Sequence, residues 1–152
     1  MRTIRVAALD DQKDILFALE MHVAQYNKKT TDGIHVELDP YSDPDEFLAN
    51  YNHDLAVLDI DLRNPELDGF DVARLAYKIH PKGNFIMRSS SITEEDEDNH
   101  ECLMGKVTGS NFVSELVKRY LDMSVSLKTR ISNKIEVFDQ ARVFSNAHAH
   151  AI

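Results

Sequence analysis

Two carboxylates one residue apart, Asp59 and Asp61, end the apolar run Leu55-Ala56-Val57-Leu58. A second acidic pair, Asp10-Asp11, ends the run Ile4-Arg5-Val6-Ala7-Ala8-Leu9. Ser89 and Ser90 follow Phe85-Ile86-Met87-Arg88, and Lys106 follows Cys102-Leu103-Met104-Gly105. A carboxylate at the end of a buried strand is a metal ligand, a nucleophile or the first residue of a turn. Several in one place repel, and each resists ionisation until a cation balances them. Mg²⁺ suits such an all-oxygen site, keeps several waters, and favours places where phosphate supplies further oxygens. A lysine ammonium and a serine hydroxyl nearby are donors to phosphoryl oxygens. An aspartate among them can form an acyl phosphate.

These residues need a scaffold that gathers strand ends. Leu55 to Asp59 reads as a strand buried on both faces and Ile4 to Leu9 as a buried first strand, because their apolar runs are short and bounded by polar residues. Ile15, Leu19, Val23 and Tyr26 recur at helical spacing, so Gln12 to about Tyr26 is an amphipathic helix. Ile34 to Leu38 alternates like a half-exposed edge strand, which Asp39-Pro40 is expected to end. Asp43-Pro44-Asp45-Glu46 has the form of a helix start, with Asp43 as N-cap. Phe70, Val72, Ala73, Leu75, Ala76 and Ile79 mark a further helix, stopped by His80-Pro81. Asn84 to Met87 is a fourth strand and Cys102 to Met104 a weak fifth. Thr93 to Asp98 is almost all acid, which suits a solvated loop or one poor helical turn. Ser110 caps a last helix carrying Phe112, Val113, Leu116, Val117, Tyr120 and Leu121. The order is β-α repeated five times, with one degraded unit before the last strand. That order implies an α/β fold with a doubly wound, five-stranded parallel sheet. In such a sheet the ends of strands one, three, four and five face one crevice, where ligands bind.

Bulk properties narrow the function. The 152 residues suit one domain, and a hydrophobic fraction of 43% is enough for a core. With 17 basic against 26 acidic residues the net charge is -9. That argues against direct binding to nucleic acid or to an anionic membrane, both of which need Lys/Arg counter-charge. The lone Cys102 excludes an internal disulfide and a cysteine zinc site, and fits a cytoplasmic location. No stretch approaches a membrane span, and no apolar segment behind the first arginines suggests a signal peptide. Residues 1–121 read as the domain. Residues 122–146 carry Met123, Leu127, Ile131, Ile135 and Phe138 at helical spacing, which suits a helical extension, able to pair two copies as a homodimer, or a linker. Residues 147–152 read as a disordered tail.

The set resembles the receiver domain of two-component response regulators, over roughly residues 3–121. The matching pieces are Leu9-Asp10-Asp11, Asp54 to Ile60, Pro65 with Leu67-Asp68-Gly69, Phe85 to Ser90, and Lys106. The resemblance implies a flavodoxin-like strand order 2-1-3-4-5. It also implies that Asp10 and Asp11 hold Mg²⁺ and that Asp59 accepts a phosphoryl group from a histidine kinase or phosphotransfer protein. Asp61 would lend a carbonyl to the metal, while Ser89 and Lys106 would meet the phosphoryl group. The chain departs from the pattern in four places, one of them a shortened and acidic fourth helix. The usual spacing back from Asp68-Gly69 lands on Asp61, whereas the strand points to Asp59, the favoured choice; reconciling them needs a two-residue insertion within Leu62 to Glu66. Ser90 is the alternative to Ser89. Leu103 and Val107 stand where an aromatic residue and a proline are usual.

Two other functions fit parts of the pattern. Asp59-Ile60-Asp61 is similar to the Asp-x-Asp of haloacid-dehalogenase-type phosphatases, with a nucleophile followed by a general acid/base. In those enzymes, however, the metal-binding acids come late in the chain, not before the pair. A pseudo-receiver, used as an interaction or dimerisation module without phosphorylation, is the other. Leu103 and the weak acidic segment favour it.

Overall fold

The computed structural model describes residues 1–64, 66–93, 95, 97 and 102–123. Its strands are β1 (Arg2–Leu9), β2 (Ile34–Tyr41), β3 (Leu55–Asp59), β4 (Asn84–Arg88) and β5 (Leu103–Met104). Its helices are α1 (Lys13–Lys29), α2 (Pro44–Asn50), α3 (Gly69–Ile79) and α4 (Ser110–Met123). The extension beyond Met123, the tail and most of the acidic segment lie outside the described residues. Within that segment the Glu97 N–H donates to the Thr93 carbonyl at 3.1 Å, a helical bond.

The sheet is parallel throughout, in the order β2-β1-β3-β4-β5. Strands β3 and β4 are buried along their whole length, as their unbroken apolar runs require. Helix α1 packs beside α4, and α2 beside α3. Leu16, Leu19, Val23 and Tyr26 form the buried stripe of α1, and Phe112, Val113, Leu116, Val117 and Tyr120 that of α4. Ser110 is the first residue of α4 rather than its cap.

Local chemistry sets the helix starts. Asp43 accepts from the Glu46 N–H at 3.3 Å with Pro44 behind it, as the residue types predict. Asp68 and Asp71 close a capping box at the head of α3. At the foot of the sheet Tyr51 stacks among Phe47, His53, His80 and Phe85. His53 Nδ1 accepts from the Asn52 N–H at 3.1 Å, so Nε2 carries the proton that it donates to Asp39 at 2.7 Å.

One boundary differs from expectation. Asp39-Pro40 does not end β2, which continues to Tyr41. Arg2 N–H bonds to the Gly33 carbonyl and Asp10 N–H to the Tyr41 carbonyl, so the odd-numbered residues of β2 face β1. The Pro40 nitrogen therefore points away from the ladder, where an edge strand tolerates it. On that outer side the Asn27 amide binds both the N–H and the carbonyl of Val36, each at 2.9 Å. Asp32 takes the Ile34 N–H at 3.0 Å.

Strand β5 has only two residues, and a side chain supplements its ladder. The buried Arg119 donates from Nη1 to the Leu103 carbonyl and from Nη2 to the Glu97 carbonyl at 3.2 Å, while Glu115 takes Nε at 3.2 Å. Replacing Arg119 with Met leaves buried carbonyls unpaired. It is expected to cost about 2 kcal/mol in urea unfolding, with Arg119→Lys losing less.

Candidate functional site

The C-terminal ends of β1, β3 and β4 converge. Asp10 and Asp11 follow β1, Asp59 closes β3, and in register opposite Asp59 stands Arg88 at the end of β4. One carboxylate oxygen from each of Asp10, Asp11 and Asp59 lies within 4.8 Å of the others. Asp10 and Asp59 are buried and Asp11 partly so. The sequence expectation that these three acids meet is met in space.

Each carboxylate has its own setting. Asp10 Oδ1 accepts the Gln12 N–H at 2.9 Å, and its Oδ2 takes Arg88 Nη2 at 2.8 Å. Asp11 Oδ2 accepts the Arg63 N–H at 3.2 Å, while its Oδ1 is buried with no hydrogen-bond partner. Asp59 Oδ1 accepts the Asp61 N–H at 3.2 Å and lies 3.9 Å from Arg88 Nη2. Burial, and then the Asp10 charge, push the Asp59 carboxyl up to about 6; the Asp61 N–H and Arg88 pull it back only in part.

Asp61 is different. It is exposed, just past the strand, and its Oδ2 takes the Ser89 hydroxyl at 2.7 Å. Its side chain is not among the three clustered carboxylates. Ser89 is buried and also shares a 2.9 Å bond with Ser91. Ser90 is exposed and, with Lys106, Asp59, Asp61, Arg88 and Val107, lines a cavity of about 300 Å³. Lys106 and both Asp-x-Asp carboxylates thus border one space, and Ser90 rather than Ser89 is on its wall.

Side-chain bonds shape the loop between β3 and α3. Asn64 Oδ1 accepts the N–H groups of Glu66 and Leu67, at 2.8 and 3.1 Å, and folds the chain back. Gly69 then sits against β3: a Cβ there would stand 2.2 Å from the Asp59 carbonyl oxygen.

Arg88 was missed as a site residue by the sequence pattern, which treats it only as the end of β4. A signal existed: a lone cation closing an apolar strand in an acidic chain needs an anionic partner if it is buried. Nothing local points to Asp10, 78 residues away.

The ionisation of Asp59 has a stability consequence. Its folded pKa exceeds its unfolded one, so between pH 3.8 and about 6 the folded state holds a proton that the unfolded state has released. Stability therefore falls as pH rises through that window and stays reduced above it. Asp59→Asn removes the penalty. The variant is expected to be more stable at pH 7, by at most about 3 kcal/mol at 1.4 per unit, with the gain vanishing below pH 4. Paired urea titrations at the two pH values check this.

No protein-family model and no curated protein matches the chain. Solved structures do. A CheY-like response regulator receiver domain protein from Methanospirillum hungatei matches with a TM-score of 0.54 and 22% identity, over 79% of this chain and 94% of its own. The BeF3-activated DrrB receiver domain matches with a TM-score of 0.56 and 20% identity, over 80% and 99%. CheY4 of Vibrio cholerae matches with a TM-score of 0.55 and 18% identity, over 78% and 98%. The fold, with its strand order 2-1-3-4-5, is that of receiver domains. Among the described residues no helix is long and apolar enough to cross a membrane.

Proposed function

We propose that this receiver-fold chain is the phosphoacceptor receiver of a two-component phosphorelay, with Asp59 as the acceptor. The observation that carries the reading is the meeting of the Asp10, Asp11 and Asp59 carboxylates at adjacent strand ends beside a cavity bordered by Lys106. Asp59 is favoured over Asp61 because it is the member of the pair that joins the acidic cluster. Asp61 is occupied with Ser89.

The residues present fit Mg²⁺. The donors are all carboxylate oxygens, and the buried Asp11 Oδ1 lacks a partner that a cation would supply. Asp10, Asp11 and Asp59 would hold the ion, with the Asp61 carbonyl as a further oxygen, and bound there it would offset the charge of the acids and of phosphoryl oxygens.

In the proposed reaction an Asp59 carboxylate oxygen attacks the phosphorus of a phosphohistidine on a histidine kinase or phosphotransfer protein. The new P–O bond forms as the P–N bond breaks. The electron pair returns to the imidazole nitrogen, which takes a proton from solvent. The Lys106 ammonium pairs with a phosphoryl oxygen. The Ser89 hydroxyl must turn from Asp61 to do the same, and Ser90 on the cavity wall is its alternative. An Asp59 held near pH 6 is ionised and nucleophilic at neutral pH. Output passes through protein contacts in the cytoplasm, without direct nucleic-acid or membrane binding. Self-association through residues 122–146 belongs to the same reading, with 1–121 as the domain and 147–152 as a tail.

A pseudo-receiver is the second reading. Arg88 favours it, because a buried guanidinium already balances part of the acidic charge. So does Leu103, a buried aliphatic residue where the relay would bury an aromatic ring.

Incubation with Mg²⁺ and acetyl phosphate, followed by intact-mass analysis, separates these. A receiver gains a base-labile adduct of about 80 Da, the mass of a phosphoryl group. Asp59→Asn is expected to lose the adduct and Asp61→Asn to keep it. The reverse pattern moves the acceptor to Asp61. No adduct on a folded wild-type protein favours the pseudo-receiver, and turnover of an external phosphomonoester favours the phosphatase.

A further inference from the structure

The receiver reading assigns no role to Arg88, yet this residue makes the shortest ion pair within the carboxylate cluster. Its side chain is only 7% exposed. Nη2 lies 2.8 Å from Asp10 Oδ2 and 3.9 Å from Asp59 Oδ1, and Nη1 reaches the Gly105 carbonyl at 3.5 Å. The pairing of β3 with β4 sets Arg88 beside Asp59, so the guanidinium is delivered by the sheet and not by a movable loop.

A divalent cation and this guanidinium need the same atoms. Mg²⁺ demands carboxylate oxygens at about 2.0–2.1 Å in near-octahedral arrangement. Asp10 Oδ2 is already taken by a charge-assisted hydrogen bond, and the other Asp10 oxygen accepts the Gln12 N–H. A metal placed between Asp10 and Asp59 also meets a positive charge within about 4 Å, in a site where burial weakens screening.

We propose that Arg88 is a tethered counter-cation that competes with divalent metal for Asp10 and Asp59. Metal binding breaks the Arg88–Asp10 pair, and the affinity of the site is set by that exchange. The proposal rests on the receiver reading of the same carboxylates, and adds a regulation of metal loading by the chain's own arginine. The Asp11 Oδ1 atom, which Arg88 does not reach, is the point where a metal first finds a free ligand.

The test is metal affinity itself. Mg²⁺ is titrated into the full chain by calorimetry, and Mn²⁺ is counted by electron paramagnetic resonance, for wild type, Arg88→Gln and Arg88→Lys. Near-ultraviolet circular dichroism reports folding of each. The expected result is binding at least about tenfold tighter in Arg88→Gln than in wild type, with Arg88→Lys between them. Equal affinity in folded wild type and Arg88→Gln overturns the proposal. If Arg88→Gln does not fold, the wild-type protein still decides. Saturating Mg²⁺ is expected to shift the Arg88 Nε–H resonance and speed its exchange with solvent, and an unchanged resonance overturns the exchange. The phosphoryl-adduct assay separates the two failures. Equal affinities with an adduct on Asp59 overturn the competition alone. Absence of both metal binding and adduct, in wild type and in Arg88→Gln, overturns the receiver reading with it.

Discussion

Like charges held together at the edge of a hydrophobic sheet are the constraint on which the rest of this molecule depends. Strands β1 and β3 are neighbours, and both end in acid. The apolar residues behind those acids are buried, so the strands cannot slip to move the carboxylates apart without exposing core. The result is a desolvated anionic cluster that must be neutralised by a proton, a cation or a guanidinium. The elevated Asp59 carboxyl and the Arg88 side chain supply two of these, and the unpartnered Asp11 oxygen leaves room for the third. A fold that stores repulsion in this way can have its local structure altered by whichever species relieves it.

What was legible in the sequence was what local pattern encodes. Leu55 to Leu58 could only be a buried strand. Asp43 before Pro44 could hardly be other than a helix cap. The βα alternation then put the strand-end acids on one edge, and no long-range knowledge was needed to bring Asp10, Asp11 and Asp59 together. The element boundaries were less accessible. Pro40 stops a strand in the average case, and only the hydrogen-bond parity of β2, a property of its pairing, reveals why it does not here.

The parts of the site that local pattern does not reveal share a physical origin: they are pairings between residues far apart in the chain. Arg88 with Asp10 and Ser89 with Asp61 depend on how strands align, not on neighbours in sequence. The sequence marks Ser89 by its place after β4, and the strand register adds that Arg88 stands opposite Asp59. The loop after Asp59 was ambiguous for the opposite reason. Its length argues for one acceptor and its strand for the other, and the Asn64 turn and the Gly69 contact are what bring the chain back against β3.

The outer edge of β2 carries a wider consequence. A parallel sheet with an open edge offers a template on which a second chain can add a strand. Here that template is defaced at three of the outward positions: Asp32 occupies the Ile34 donor, Asn27 both polar groups of Val36, and Pro40 has no donor to offer. Growth of the sheet across this side is thereby discouraged, including the runaway strand stacking that leads to aggregates. The same small set of residues that ends the sheet thus also blunts its edge.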